Sequence, residues 1–199
     1  AARPGGAWGI GRVVPDMAAS REMLCREAPA VLRELRVDAV IADQMEAAGG
    51  LVAPALGLPF VSVPAALPVD REPRLPLPVM PWGLAFNEAG RRLNESSARV
   101  YDWMMRPHAQ VIERYARDAF RLPPRRALHE CLSPLLQLSQ ATASFDFPRE
   151  QASSLRFVGP LRKPTPPDDP HWLAGTPRDD SKPLVFASLG TLQGGRFGL

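Results

Sequence analysis

Cysteine is scarce in this sequence, with two among 199 residues, and Cys25 and Cys131 form neither a CxxC pair nor the framework of a secreted disulfide scaffold. Both read as reduced, structural thiols. Lysine is equally scarce: Lys163 and Lys182 are the only two, and every other basic residue is an arginine. The basic residues are scattered, never more than two together, among nearly as many acidic ones, 24 against 21. The net charge of +3 and the isoelectric point near 9.3 therefore come without the basic stripe that a nucleic-acid partner requires. The three histidines, His108, His129 and His171, show no metal-ligand spacing. A GxSxG elbow and a Walker GxxxxGK are both absent, and Gly9-Ile10-Gly11 lacks the third glycine and the preceding strand of a dinucleotide fingerprint. The opening AARPGGAWGIGRVV has neither an initiator methionine nor a leader-like segment. It reads as a chain entered midway, in a cytoplasmic protein.

A long uninterrupted hydrophobic helix is missing too. Ala47 to Val69 carries no charge and is long enough to span a bilayer, but Pro54, Pro59, Pro64 and Pro68 interrupt it. Each removes a backbone donor, so a helix, a turn and a strand are expected in place of a span. With 45% hydrophobic and 23% charged residues, the whole composition is that of a globular chain.

What is present is an α/β pattern. Ser20 is placed to cap a helix running to about Arg36, with Leu24, Ala28, Val31, Leu32 and Leu35 on one face and a bend at Pro29. Val37 to Ala42 is a short apolar run of the kind buried on both faces of a parallel sheet, closed by Asp43. A small-residue helix follows, with Gly57 just beyond its end, then a strand over Pro59 to Val63. The three make a βαβ unit. Pro54 falls inside the small-residue helix and should free the Gly50 carbonyl. Pro64 to Pro81 reads as a long irregular loop. Asn87 or Glu88 opens a helix to Met105 whose expected buried side is Leu93, Val100, Trp103 and Met104. Another helix runs to about Phe120, and a short one, started by Pro123-Pro124, ends near Cys131. Leu135–Ser139 and Leu155–Val158 read as strands. Residues 160–183 have the proline-rich composition of an inter-domain linker, and Pro183 to Ala187 resembles the first strand of a second α/β domain.

Two places carry candidate chemistry. Asp43 ends a parallel strand, the edge at which ligands bind open α/β sheets. Its carboxylate can cap the next helix, or it can orient a histidine that takes a proton from a hydroxyl. His108, His129 and His171 each read as a surface or satisfied histidine. The turn Ser188-Leu189-Gly190-Thr191 places a glycine, a hydroxyl and free N–H groups at a strand-to-helix junction, where phosphate is bound.

Taken in order, IADQMEAAGGLVAPALGLPFVSVPAALPV, LHECLSPLLQLSQ, RFVGPL and PLVFASLGTLQG resemble the carotenoid-glucosylating branch of the family 1 UDP-glycosyltransferases, which have the GT-B fold. DQME before LGLPFVSV is specific to that branch; SLGT is general to the family. The resemblance implies a partial GT-B chain: residues 1–159 as a Rossmann-like N-terminal, acceptor-binding lobe without its first strands, 160–183 as the linker, and 184–199 as the start of the nucleotide-sugar lobe. It implies that Asp43 is the carboxylate of a His–Asp dyad whose histidine lies upstream, and that Gly190 and Thr191 touch the donor diphosphate. UDP-glucose would be the donor and a carotenoid ring hydroxyl, as in zeaxanthin, the acceptor. Inversion is implied, with no metal or other cofactor. Trp82 and Phe86 are candidates for lining an apolar acceptor channel, and an acceptor of that kind implies peripheral contact with the inner face of the membrane. A related transferase acting on a macrolide, sterol or flavonoid is the neighbouring alternative, and a non-catalytic α/β ligand-binding module is the alternative of another class.

Overall fold

The computed structural model describes residues 9–150 and 154–161, the first four of them by backbone alone. His171, most of the proline-rich linker, the strand from Pro183 and the Gly190-Thr191 turn lie outside the described residues. Helix α1 (Gly9–Glu34) leads into strand β1 (Val40–Asp43), helix α2 (Ala47–Ala55) and strand β2 (Phe60–Val63). After the proline-rich loop come α3 (Glu88–Met104), α4 (Arg106–Arg114) and a π-helical turn, Tyr115–Ala119. A 3-10 turn at Leu128–Cys131, strand β3 (Gln137–Ser139), a second 3-10 turn at Ala143–Phe145 and strand β4 (Leu155–Phe157) complete the described part.

The four strands form one parallel sheet in the order β1-β2-β3-β4. In register, Asp43 stands beside Val63, so the carboxyl ends of the strands lie along one edge. Gly57, at φ 68°, ends α2 in the left-handed region that glycine tolerates, and Asn87 caps α3 by accepting the Gly90 N–H at 2.9 Å. Both agree with the sequence pattern.

Helix α2 sits at the centre, touching β1, β2, α1, α4 and the first 3-10 turn. Its small residues are a packing requirement. A Cβ on Gly49 would come within 2.3 Å of Ala42 Cβ, and one on Gly50 within 1.8 Å of the Cys131 carbonyl oxygen. Pro54 removes the N–H that would have bonded the Gly50 carbonyl, and Arg125 Nη1 donates to that carbonyl at 2.5 Å instead. Around α2 lies a buried cluster of Cys25, Ala47, Leu51, Ile112, Ala116 and Cys131. Burial pushes the Cys25 thiol up to about 12 and the Cys131 thiol up to about 11, so neither is a ready thiolate.

Three expectations are corrected. Helix α1 is already helical at Gly9 and buries Val14, Ala18, Arg21 and Cys25, while Val31 and Leu35 are exposed. Its buried line follows helical spacing from one turn earlier, with an arginine in it that reads as a surface residue until its partners are known. Strand β1 is an edge strand among the described residues, and it is not buried on both faces, Ile41 being 79% exposed. Helix α3 presents Leu93, Val100, Trp103 and Met104 outward and buries Asn94. Asn94 Oδ1 accepts from Trp82 Nε1 at 3.0 Å, and Gly90 packs on Ala85. The proline-rich loop thus covers the small and polar side of the helix.

No helix among the described residues is long and apolar enough to cross a membrane. The tight α2 contact leads to one expectation: Gly50→Ala should destabilise the fold by about 1–3 kcal/mol through overpacking, read as a lower denaturant midpoint at unchanged slope.

Candidate functional site

The site begins at the turn between β1 and α2. Asp43 is exposed, and its Oδ1 accepts the Met45 N–H at 2.7 Å. Capping of α2 falls to Glu46 and not to Asp43: Glu46 Oε1 accepts the Ala48 N–H at 2.9 Å. The Asp43 side chain instead closes the turn that carries it, and its carboxylate is presented at the edge of the sheet.

Arg21 holds that turn from below. Its side chain is 1% exposed. Nε donates to Glu46 Oε1 at 2.9 Å, Nη2 donates to the Met45 carbonyl at 2.7 Å, and Nη1 points at the ring nitrogens of His108 on α4. One buried cation therefore joins α1, the β1–α2 turn and α4. Burial, and then the Arg21 charge, bring the His108 pKa down to about 4. The ring is neutral at physiological pH, which lets a ring nitrogen accept from the guanidinium.

Beside this turn lies a cleft of about 940 Å3. Gln44 and Met45 follow Asp43 into its wall, and Leu67 and Val69 enter it from the loop after β2. Leu77 and Val79 of the proline-rich loop, Met105 and Ile112 of the helices and Phe145 beyond β3 complete a largely apolar lining. Side chains hold the loop in shape in place of regular backbone pairing. Gln44 Nε2 donates to the Leu67 carbonyl at 2.9 Å, and its Oε1 accepts the Val69 N–H at 3.2 Å. From the other side Arg149 donates to the carbonyls of Pro68 and Asp70 at 2.9 and 3.1 Å.

The polar part of the cleft is compact. Arg71 grips Asp102 through two hydrogen bonds of 2.5 and 2.8 Å, and that pairing raises the Arg71 pKa. His129 faces the same space, its pKa lowered by burial and then by Arg71. It can donate to or accept from a hydroxyl, beside the charged Arg71 and Asp102, in a largely apolar enclosure. Among the described residues no group of three histidine, cysteine, aspartate or glutamate side chains is placed to hold a metal ion.

Of the residues singled out from the sequence, Asp43 is not itself part of the cleft lining, which begins at the next residue, Gln44. Trp82 is fixed to Asn94, Phe86 is 85% exposed, and neither belongs to the cleft lining. Gly190 and Thr191 lie outside the described residues. The reading of His108 as a satisfied histidine holds, its partner being Arg21, but His108 and His129 both line the cleft, which the sequence did not signal. Arg71 and Asp102, beside His129, come from the loop and from α3, so their meeting depends on the tertiary fold.

No protein-family model matches the chain. The chain is 50% identical over 189 residues to the zeaxanthin glucosyltransferase of Pseudescherichia vulneris, covering 94% of this chain and 44% of that protein. It is 47% identical to the zeaxanthin glucosyltransferase of Pantoea ananas, covering 94% of this chain and 43% of that protein. A more distant similarity, 28% over 179 residues, links it to the 4'-demethylrebeccamycin synthase of Lentzea aerocolonigenes, with 82% of this chain and 40% of that protein covered. The chain thus spans less than half the length of these curated relatives. It is a homologue of glycosyltransferases, and its parallel α/β sheet is consistent with part of a GT-B fold.

The Arg21–His108 contact sets a pH dependence. The folded-state pKa of His108, about 4, lies below its ordinary value of about 6.5, so the unfolded chain binds the proton first as pH falls. The stability this contributes is whole above pH 6.5 and declines toward pH 4. Denaturant titrations at pH 7.5 and pH 5 should differ by about 2 kcal/mol from this group, and His108→Gln should remove that share of the difference.

Proposed function

We propose that this chain supplies the acceptor side of a glycosyltransferase that moves glucose from UDP-glucose to a ring hydroxyl of a carotenoid, zeaxanthin, with inversion at the anomeric carbon. The observation that carries the reading is the apolar cleft of about 940 Å3 at the carboxyl ends of β1 and β2, its wall starting one residue after Asp43. A long hydrocarbon with a terminal hydroxyl fits such a space: apolar walls bind the chain, and a few polar groups orient the end. The similarity to two zeaxanthin glucosyltransferases supports the same substrate class. In this reading residues 1–159 are the acceptor lobe, 160–183 the linker and 184–199 the start of the donor lobe.

The chemistry proposed is a single displacement. A histidine, which the family resemblance places upstream of this sequence, accepts the proton of the ring hydroxyl as that oxygen bonds to the anomeric carbon. The bond from that carbon to the diphosphate oxygen breaks, and UDP departs with the electron pair. Asp43 holds the histidine in the required tautomer and stabilises the imidazolium that forms. The turn of Met45 and Glu46, pinned by Arg21, keeps the carboxylate in place. The Gly190-Thr191 turn meets the diphosphate with backbone N–H groups and a hydroxyl, and the scheme uses no metal.

Assay of the full-length protein with UDP-glucose and zeaxanthin tests this. Asp43→Ala should lower kcat by about 10²–10⁴-fold, the usual contribution of general acid–base catalysis. Unchanged turnover would remove Asp43 from the mechanism. In the same assay Val69→Trp, which narrows the cleft, should raise KM for the carotenoid and leave KM for UDP-glucose unchanged; the reverse pattern would place the acceptor elsewhere.

A further inference from the structure

We infer that Tyr101 and His129 select the acceptor by binding the reacting hydroxyl of its end group, so that the cleft takes a hydroxylated ring in preference to a bare hydrocarbon. The inference rests on the acceptor reading above and names the residues that make the choice. Tyr101 comes from α3 and His129 from the 3-10 turn at Leu128–Cys131, and both line the cleft. Their polar atoms are uncommitted, which sets them apart from the other polar side chains of the wall. Gln44 holds the loop through Leu67 and Val69, Arg71 and Asp102 hold each other, and His108 meets Arg21. Arg126 pairs with Glu113, and Glu130 accepts the N–H groups of Arg126 and Ala127. Among the described residues, neither the Tyr101 hydroxyl nor the His129 ring has a hydrogen-bond partner. Polar groups facing a largely apolar space are costly to leave unpaired, and a ligand that meets them is favoured by that cost.

Electrostatics fit an uncharged partner. Burial is the main cause that raises the Tyr101 phenol above its ordinary value, so it keeps its proton and can donate. Burial, and then Arg71, lower His129, so its ring is uncharged at physiological pH and offers one donor and one acceptor. Arg71 and Asp102 act on both groups, and Arg21, whose Nη2 holds the Met45 carbonyl, acts on the phenol as well. The pair therefore stands toward the turn of Gln44 and Met45, which follows Asp43 in the chain. An alcohol oxygen there can accept from the Tyr101 hydroxyl or from the ring N–H of His129 while its own proton stays directed at a base. Two uncommitted groups match an end group with one hydroxyl on an apolar ring. An acceptor with many hydroxyls would leave most of them unpaired against Leu67, Val69, Leu77 and Phe145. A bare hydrocarbon would leave both protein groups unpaired, which is how a site built around a hydroxyl rejects the analogue that lacks it.

The test uses the full-length protein, with carotenoids delivered from one kind of detergent micelle and binding read by quenching of tryptophan fluorescence. The probes are zeaxanthin, its monohydroxylated relative and the hydrocarbon of the same skeleton. Tyr101→Phe and His129→Leu should each weaken zeaxanthin binding by about fivefold, the loss expected for one hydrogen bond. The double variant should lose the wild type's preference for zeaxanthin over the hydrocarbon; the micelle's own preference cancels in that comparison. Hydrocarbon binding and the thermal midpoint should stay as in wild type, whereas a merely structural role would lower both. His129→Gln, which keeps a donor and an acceptor, should recover part of the affinity lost in His129→Leu. In transfer assays the variants should raise KM for zeaxanthin and for the monohydroxylated relative together and leave KM for UDP-glucose unchanged. A rise confined to zeaxanthin would put the distal hydroxyl at the pair and overturn the assignment. A double variant that keeps the wild-type preference would overturn it too, leaving the acceptor reading intact if transfer continues. A wild-type protein that binds none of the three would remove the acceptor reading and this inference with it.

Discussion

A buried guanidinium is the constraint on which the rest of this fold depends. Removing an arginine from water is costly unless it finds polar partners inside, and Arg21 places each of its three guanidinium nitrogens against one: a carboxylate, a main-chain carbonyl and a neutral imidazole. Those three partners come from α2's cap, the β1–α2 turn and α4. Satisfying the cation therefore fixes where the turn stands against the helices, and the turn carries Asp43. The neutrality of His108 belongs to the same constraint, because a second cation at that place would repel the first. Charge state, packing and placement of the candidate catalytic carboxylate are thus one problem with one solution.

The proline-rich loop answers a different constraint. Prolines cannot pair as a strand does, so a segment such as 64–81 gains little order from its own backbone. Gln44 and Arg149 grip its carbonyls from two sides, and Asn94 holds both Trp82 and, through Nδ2 at 3.5 Å, the Pro73 carbonyl. Side chains from regular elements supply the partners the loop cannot supply for itself. A shaped apolar wall results from a stretch without periodicity.

Elements governed by local chemistry were legible in the sequence. The βαβ unit follows from two short β-branched runs around a small-residue helix, the end of α2 from Gly57, the start of α3 from Asn87, and the freed carbonyl at Gly50 from Pro54. Which face of a helix is buried was not legible where a polar residue took the inward position. Arg21 and Asn94 are both buried by partners far away in sequence, and the apolar residues beside them turn outward. The cleft was hidden for the same reason: Gln44, Arg71, Asp102 and His129 are separated along the chain and unremarkable singly, and only the return of α3, α4 and the 3-10 turn across the strand ends gathers them. Asp43 was visible because its position at the end of a strand is itself local.

The contact between Arg125 and Gly50 makes two distant positions interdependent. Proline at 54 leaves an acceptor vacant inside α2, and the arginine takes it. A chain with an ordinary residue at 54 would fill that acceptor from within the helix, and the arginine would then compete for it. Substitution at either position is thus conditional on the other. Among descendants of a common ancestor, the proline and the arginine should be gained or lost as an epistatic pair, with the helix break tolerated only where a cation arrives from the opposite side to close it.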